Sequence, residues 1–184
     1  MRKPYENAVS PVVGVMLMLV VVIIIAAVVS AFAGGSVSGV KKVPQSTITG
    51  KFSIANGLQI SHAGGDGLAT AEAVFVIRDG SMFGPNIEQK TAQVLNRSLI
   101  VNSKGLYLKT DAGTQGFDSF VSGETLFITG ANATCSLLQP GVYTGDPTQK
   151  YCISNPDNIG KIFSLEVSDT KGNLISKSDV TISS

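Results

Sequence analysis

Few residues in this chain of 184 have types and spacing that chemistry could use. The one histidine, His62, stands in the run Ile60-Ser61-His62-Ala63-Gly64-Gly65-Asp66. A lone imidazole does not build a zinc site, which needs several protein ligands. The residues after it read as a turn: Gly64 and Gly65 supply backbone angles that other residues avoid, and Asp66 bonds the turn amides. A metal or ligand role is the open alternative for this motif. Gly64-Gly65-Asp66-Gly67 lacks the strand-then-helix setting and the lysine of a phosphate loop. The two cysteines, Cys135 and Cys152, have no C-x-x-C spacing. In a cytosolic protein they would be free or catalytic thiols, whereas outside the cell a disulfide is the simpler account. Closing a loop of that size is worth about 3 kcal/mol, mostly by restricting the unfolded chain. Two triplets, Asn96-Arg97-Ser98 and Asn132-Ala133-Thr134, are glycan-acceptor sequons if the chain is exported, with Asn132 the better placed, in a loop. No nucleophile stands beside a base and no metal ligands pair up, so neither an enzyme, a cofactor nor a metal is expected. A net charge of +1 with no basic run beyond Lys41-Lys42 gives no footprint for nucleic acid.

The element that must position everything else lies at the N-terminus. Ala8 to Ala33 carries no charge, and from Val12 onward only Gly14 and Ser30 interrupt the apolar run. As a helix at about 1.5 Å per residue, Val12–Ala33 reaches roughly 33 Å, enough to cross a bilayer core. Arg2 and Lys3 precede it and favour a cytoplasmic N-terminus with the remainder outside; Lys41 and Lys42 oppose this weakly. Three roles are open: an uncut membrane anchor, a secretory signal cut after Ala31-Phe32-Ala33, or a segment kept on the mature protein. The run is far longer than the usual secretory h-region of about 7–15 residues.

Ala8-Val9-Ser10-Pro11-Val12-Val13-Gly14 followed by the long aliphatic run resembles the N-terminus of archaeal type IV pilins, densely over residues 8–35. The His62-Ala63-Gly64-Gly65-Asp66 segment also resembles a part of that family, where a histidine precedes a Gly-Gly-Asp turn. The resemblance implies a class III signal peptide: a short leader is removed before the hydrophobic segment, with processing at Asn7, Ala8 and Val9 and the cut placed between Ala8 and Val9. It implies a helix that leaves the membrane to pack with copies of itself. Pro11, Gly14, Leu17, Val21, Ile24 and Val28 are the residues assigned to that filament core. The chain lacks the glutamate that bacterial pilins carry near the mature start, and it lacks the glycine-led start of archaeal flagellins, which favours a pilus over a swimming filament. The physical logic stands without the name. A helix apolar on every side is stable in lipid because its backbone is internally satisfied, and outside lipid it must rebury its whole circumference, which open head-to-tail packing achieves. Pro11 suits a helix start, and Gly14 allows close helix approach; ordinary membrane-helix composition explains both equally.

Beyond the helix, Gly34 to Gly39 reads as a helix break and joint. Ile48 to Ile54 alternates as a strand, and Asn56-Gly57 signals a hairpin into Leu58 to His62. Ala73 to Ile77 is a continuous apolar run, read as a central strand covered on both faces. Residues 81–93 are turn-rich. Short strands are expected at Leu99 to Val101, Leu106 to Lys109 and Glu124 to Thr129. Gly130 to Gly160 reads as a long surface loop. Lys161 to Ser168 and Leu174 to Ile182 form a hairpin around Asp169–Asn173.

The expectation is an α+β protein: a leader over 1–8, a hydrophobic helix over 9–33, a Gly/Ser hinge over 34–46, and an extracellular antiparallel β-sandwich-like domain over 47–184. Its function would be that of a pilus subunit serving surface adhesion. Its partners would be copies of itself, the prepilin peptidase and pilus assembly machinery, and the cytoplasmic membrane before assembly. The alternatives are a membrane-anchored extracellular binding domain that does not polymerise, and a secreted β domain.

Overall fold

The computed structural model describes residues 11–35, 42–87, 92–109, 116–135 and 150–184. Contacts divide the chain into two units, Met1–Lys42 and Val43–Ser184. In the first, an α-helix, α1, runs from Pro11 to Gly35. Proline occupies its first position, where a missing N–H costs nothing. The aliphatic run supplies no side chain that competes for backbone hydrogen bonds. Gly34 and Gly35 continue the helix rather than ending it, contrary to expectation. Carbonyls four residues back satisfy their amides, and glycine lowers helix stability without forbidding it. The rest of the expected joint, 36–39, lies outside the described residues, as do Asn7, Ala8 and Val9.

Among its described residues the second unit has ten strands: β1 (Ser46–Ser53), β2 (Gly57–Gly65), β3 (Leu68–Ala69), β4 (Ala73–Asp79), β5 (Gln93–Val94), β6 (Val101–Asn102), β7 (Ser119–Phe120), β8 (Thr125–Thr129), β9 (Ile162–Asp169) and β10 (Leu174–Ser183). Eight form one curled, mostly antiparallel sheet in the order β5-β4-β9-β10-β1-β2-β8-β6, and β3 pairs with β7 beside it. The expected α+β class, a long helix and then a sandwich-like antiparallel domain, is what the chain forms. The sandwich-like enclosure comes from one sheet. Its two antiparallel halves join where β1 meets β10 in parallel, at Phe52↔Ile182 and Ser53↔Ser183. Period-two alternation then sends Ile48, Phe52, Leu58, Ile60, Leu126 and Ile128 inward from one half, and Phe75, Ile77, Phe163, Leu165, Val167 and Val180 from the other. Phe52 and Phe163 meet edge to face across the interior, with centroids 5.8 Å apart.

The junction of the halves needs small residues. Towards the start of β1, a side chain stands in for the ladder: Ser176 Oγ accepts the Ile48 N–H at 3.0 Å and donates to the Ile48 carbonyl at 3.4 Å. Gly50 faces the interior here, and a Cβ on it would lie 2.5 Å from Val180 Cγ2 and 3.1 Å from Leu165 Cδ2. Both neighbours are buried and Val180 is stiff at χ1.

Other local expectations are refined. The β1–β2 hairpin exists, but its turn is Ile54–Asn56 with Ser53 paired to Gly57. Gly57 begins β2 at φ +86°, so the left-handed angle falls at the end of a longer loop. β4 is paired on both edges, yet only Ala73, Phe75, Ile77 and Asp79 are buried, while Val74, Val76 and Arg78 stay half-exposed. The unbroken apolar run therefore marks an inner strand of a one-sided sheet, not a strand covered on both faces. Of the strand expected at Leu99 to Val101, Leu99 closes a 3-10 turn, Arg97–Leu99, and only Val101 is paired, in β6, while Tyr107 and Leu108 make only isolated bridges. Within 81–93, Ser81–Phe83 is a 3-10 turn, Phe83 and Ile87 are core residues, and 88–91 lie outside the described residues.

The hairpin of β9 and β10 forms as expected. Asp169 ties its turn by accepting from the Asn173 side chain at 2.7 Å and from the Asn173 and Lys171 amides at 2.8 and 2.9 Å. These bonds, led by the Asn173 side chain, hold its carboxyl below the usual range. On the outer face, Glu166 accepts from Arg78 at 2.8 Å and pairs with Lys177 at 3.3 Å. Burial alone would raise the Glu166 carboxyl, but the bonds and charges of Arg78 and Lys177 outweigh it and hold it low.

The Gly50 contact is testable. Gly50→Ala should cost about 1–3 kcal/mol in chemical unfolding of the detergent-solubilised chain. Val180→Ala in the same molecule should recover part of that loss, because the two sites share one volume.

Candidate assembly surface and outer-domain motifs

Every residue of α1 from Pro11 to Ala33 is exposed. Exposure reaches 72% at Met18 and 71% at Phe32, and no stretch of the helix falls into the interior of the unit. These 23 residues are long and apolar enough to cross a membrane. Pro11, Gly14, Leu17, Val21, Ile24 and Val28 all lie on this exposed helix. At 100° per residue, Gly14, Leu17, Val21, Ile24 and Val28 share one stripe. Among the described residues, nothing beyond the helix's own adjoining backbone stands within 4 Å of where a Gly14 Cβ would be. The surface has one chemical capacity: it binds apolar surroundings, either lipid tails or other helices like itself.

The His62 motif is a knot between the ends of two strands. His62 sits in β2, 1% exposed, with its ring edge-on to Phe120 at a centroid distance of 5.1 Å. Its backbone N–H donates to Glu124 O at 3.0 Å, and its carbonyl accepts from the Gly123 N–H at 2.9 Å. Its Nε2 lies 3.0 Å from the Asp66 carbonyl oxygen. Asp66 does not bond the amides of its own turn, as the sequence suggested. It reaches instead to the start of β1: its N–H donates to Gln45 O at 2.8 Å, and its Oδ2 accepts the Gln45 N–H at 3.0 Å. Ser46 Oγ donates to Asp66 O at 2.5 Å. Only one of the two glycines is conformationally required. Gly65 has φ +97° and a Cβ there would lie 2.2 Å from Gln45 O, whereas Gly64 is not in the left-handed region and has open space around it. Among the described residues no group of three His, Cys, Asp or Glu side chains is arranged to hold a metal.

Cys135 and Cys152 form a disulfide, with Cα atoms 5.3 Å apart and the two residues 17 positions apart in sequence. The loop expected over 130–160 is not simply a surface excursion. Ala133, Cys152, Ile153 and Asn158 are buried, and residues 136–149 lie outside the described residues. Ser154 Oγ donates to the Ala133 carbonyl and so ties the loop's two arms beside the disulfide. Asn158 gathers the second arm: its Nδ2 donates to the carbonyls of Lys150 at 3.0 Å and Cys152 at 2.7 Å, and its Oδ1 accepts from Lys161 Nζ at 2.7 Å. The Lys161 ammonium lies 4.8 Å over the Phe83 ring. Asp79 closes this cluster at the end of β4. Burial pushes its carboxyl up to about 7, against the pull of Lys161. Sequence reading missed Asp79, Asn158 and Lys161 because they meet only through the pairing of β4 with β9. The Pro156 that starts their turn was the one visible signal.

The sequon asparagines are both exposed. Asn96 caps the turn Arg97–Leu99 by accepting the Ser98 N–H at 2.9 Å. Asn132 ends the turn Gly130–Asn132 just before the buried Ala133.

Two outcomes follow for the outer unit. Replacing both cysteines by serine should lower unfolding free energy by about 3 kcal/mol, and reduction of the wild type should reproduce that loss. Asp79 gives a pH dependence of definite sign. An unfolded aspartate titrates near 3.8 and Asp79 near 7, so its contribution is complete below about pH 4, declines as pH rises, and is gone above about pH 7. Relative to wild type, Asp79→Asn should therefore gain stability between about pH 4 and pH 7 in chemical unfolding and gain no more above that, by a few kcal/mol at most, since each pH step of one across that window is worth roughly 1.4 kcal/mol.

Among families of known proteins, residues 7–48 match the one described as archaeal type IV pilin, N-terminal. No curated protein matches the chain. That family is structural, and its members assemble into filaments. The match takes in all of α1 and ends inside β1. Residues 7–48 are thus similar to the N-terminal segment of archaeal type IV pilins.

Proposed function

We propose that the chain is a structural subunit of an archaeal type IV pilus-like extracellular filament. The observation that carries this is the fully exposed apolar helix within the matched segment. Burial of each large aliphatic side chain is worth about 1.5–3 kcal/mol, so a helix exposed along Pro11–Ala33 has a strong drive to associate. In this reading the leader ends beside Ala8, and the prepilin peptidase cuts between Ala8 and Val9. The helix then waits in the cytoplasmic membrane until the pilus assembly machinery moves it into a bundle of identical helices. The β unit faces outward and serves adhesion. The disulfide supports this placement, since such bonds persist in oxidising surroundings. Glycans on Asn96 and Asn132 would shield the filament exterior.

Mass spectrometry of the exported protein should find Val9 as its first residue. Val21→Asp places a charge at the middle of the helix, where lipid insertion costs roughly 2.5–3.5 kcal/mol. The remaining apolar residues should still hold it in the membrane, but electron microscopy should find no shed filaments. A mature start at Gly34 would mark a secreted domain. An uncut leader without filaments in the wild type would mark a membrane-anchored binding domain.

A further inference from the structure

The turn that leads from the disulfide loop into β9 brings an amine, a carboxamide and a carboxyl to one place. Residues 158–161 form a type II turn: Ile159 has φ −56° and ψ 134°, Gly160 has φ +87°, and the Lys161 N–H donates to the Asn158 carbonyl at 3.0 Å. Its two end side chains meet, with Lys161 Nζ 2.7 Å from Asn158 Oδ1. On an open surface such a pair would be an ordinary hydrogen bond. Here Asn158 is 2% exposed, Asp79 is 1% exposed, and the ammonium lies over the Phe83 ring. The Asn158 amide nitrogen donates to the carbonyls of Lys150 and Cys152. Carbonyls only accept, so these bonds fix Oδ1 as the atom that faces Lys161. They also hold the carboxamide still, with Cγ one bond beyond the atom that Nζ already touches. Asp79 is close enough for the Lys161 charge to pull on its carboxyl, and burial holds that carboxyl up at about 7, where a proton is taken and returned near neutral pH.

We propose that Lys161 and Asn158 join in an isopeptide bond: the Lys161 amine displaces ammonia from the Asn158 carboxamide, and Asp79 carries the proton between them. The Lys161 ammonium gives one proton to the Asp79 carboxylate. Its neutral amine adds to Asn158 Cγ, forming a C–N bond and moving the carbonyl electron pair onto Oδ1. Asp79 returns the proton to Nδ2 and takes a second one from Nζ. Oδ1 then re-forms its double bond, the Cγ–Nδ2 bond breaks, and ammonia leaves, removing the second proton as ammonium. Nothing is oxidised or reduced, and no co-reactant is needed. The amine is tethered at high effective concentration while ammonia is lost to dilute solution, so the step runs one way. It need run only once in the life of each molecule, so a slow transfer suffices. A covalent link then takes over from the two hydrogen bonds that Nδ2 made to the loop. The disulfide opens to reductants, whereas this link does not. With the ammonium gone, Asp79 loses the charge that pulls its carboxyl down, and the sign of its pH dependence is unchanged.

Mass spectrometry of the full chain, purified folded in detergent micelles and then reduced, tests this. Most molecules should be lighter by one ammonia than their sequence requires. Trypsin should no longer cut after Lys161, so residues 151–171 should appear as one peptide that carries the whole loss. Fragmentation of that peptide should place the loss within residues 158–161. Lys161→Arg keeps the positive charge without the amine and should show the full mass. Asp79→Asn cannot carry the proton, so at equal times after synthesis it should form the bond roughly tenfold or more slowly. A wild-type chain of full mass that is cut after Lys161 overturns the bond. A loss of ammonia that persists in Lys161→Arg belongs to another residue and also overturns it. A bond formed at the wild-type rate in Asp79→Asn overturns the part given to Asp79. The wild-type peptide decides on the bond even if a variant fails to fold.

Discussion

Twenty-three successive residues of α1 are exposed and uncharged, and none of the described residues of their own unit covers them. Water is a poor solvent for such a rod, because every turn of it shows aliphatic surface in all directions. An amphipathic helix can lie on a domain with its other face in water. This helix has no other face. Its environment must be lipid, or a set of neighbours that surrounds it completely. The match of residues 7–48 to an archaeal type IV pilin N-terminus fits either surrounding.

The β unit solves a different problem with different means. Its core lies inside one curled sheet, and the curl depends on a two-residue parallel contact between β1 and β10. Where that ladder stops, Ser176 supplies the missing hydrogen bonds to Ile48, and Gly50 leaves room for Val180 and Leu165. A side chain at Gly50 would force the halves apart at the place where they must converge. The small devices at this junction therefore matter as much as the large residues that fill the interior.

Two polar knots fix segments that regular pairing does not reach. One joins His62, Asp66 and Gln45 and fastens the start of β1. The other runs from Asp79 through Lys161 and Asn158 to the carbonyls beside Cys152, and anchors one arm of the disulfide loop. Each holds a titratable group away from water. Burial makes the Asp79 carboxyl resist losing its proton.

The helix, the family and most strands were legible from the sequence because each rests on local pattern. Near-continuous apolarity over Val12–Ala33 needs no partner to be recognised, and alternation in Ile48–Ile54 or Lys161–Ser168 names its own buried face. The Asp169–Asn173 turn was equally local, since its bonds span at most four residues. What failed to show was whatever depends on a distant chain segment. An apolar run such as Ala73–Ile77 looks the same whether one face or two is covered, and only its place in the sheet showed that Val74 and Val76 are half-exposed. Gly64 and Gly65 are identical in sequence, and the approach of Gln45 makes one of them indispensable. Asp66 bonds a residue 21 positions away, and Asp79 meets Lys161 only because β4 lies against β9. Composition and periodicity determined that an oily helix precedes a half-buried β unit; tertiary pairing alone decided which polar groups lost their water, because desolvation belongs to an arrangement of segments and not to any one of them.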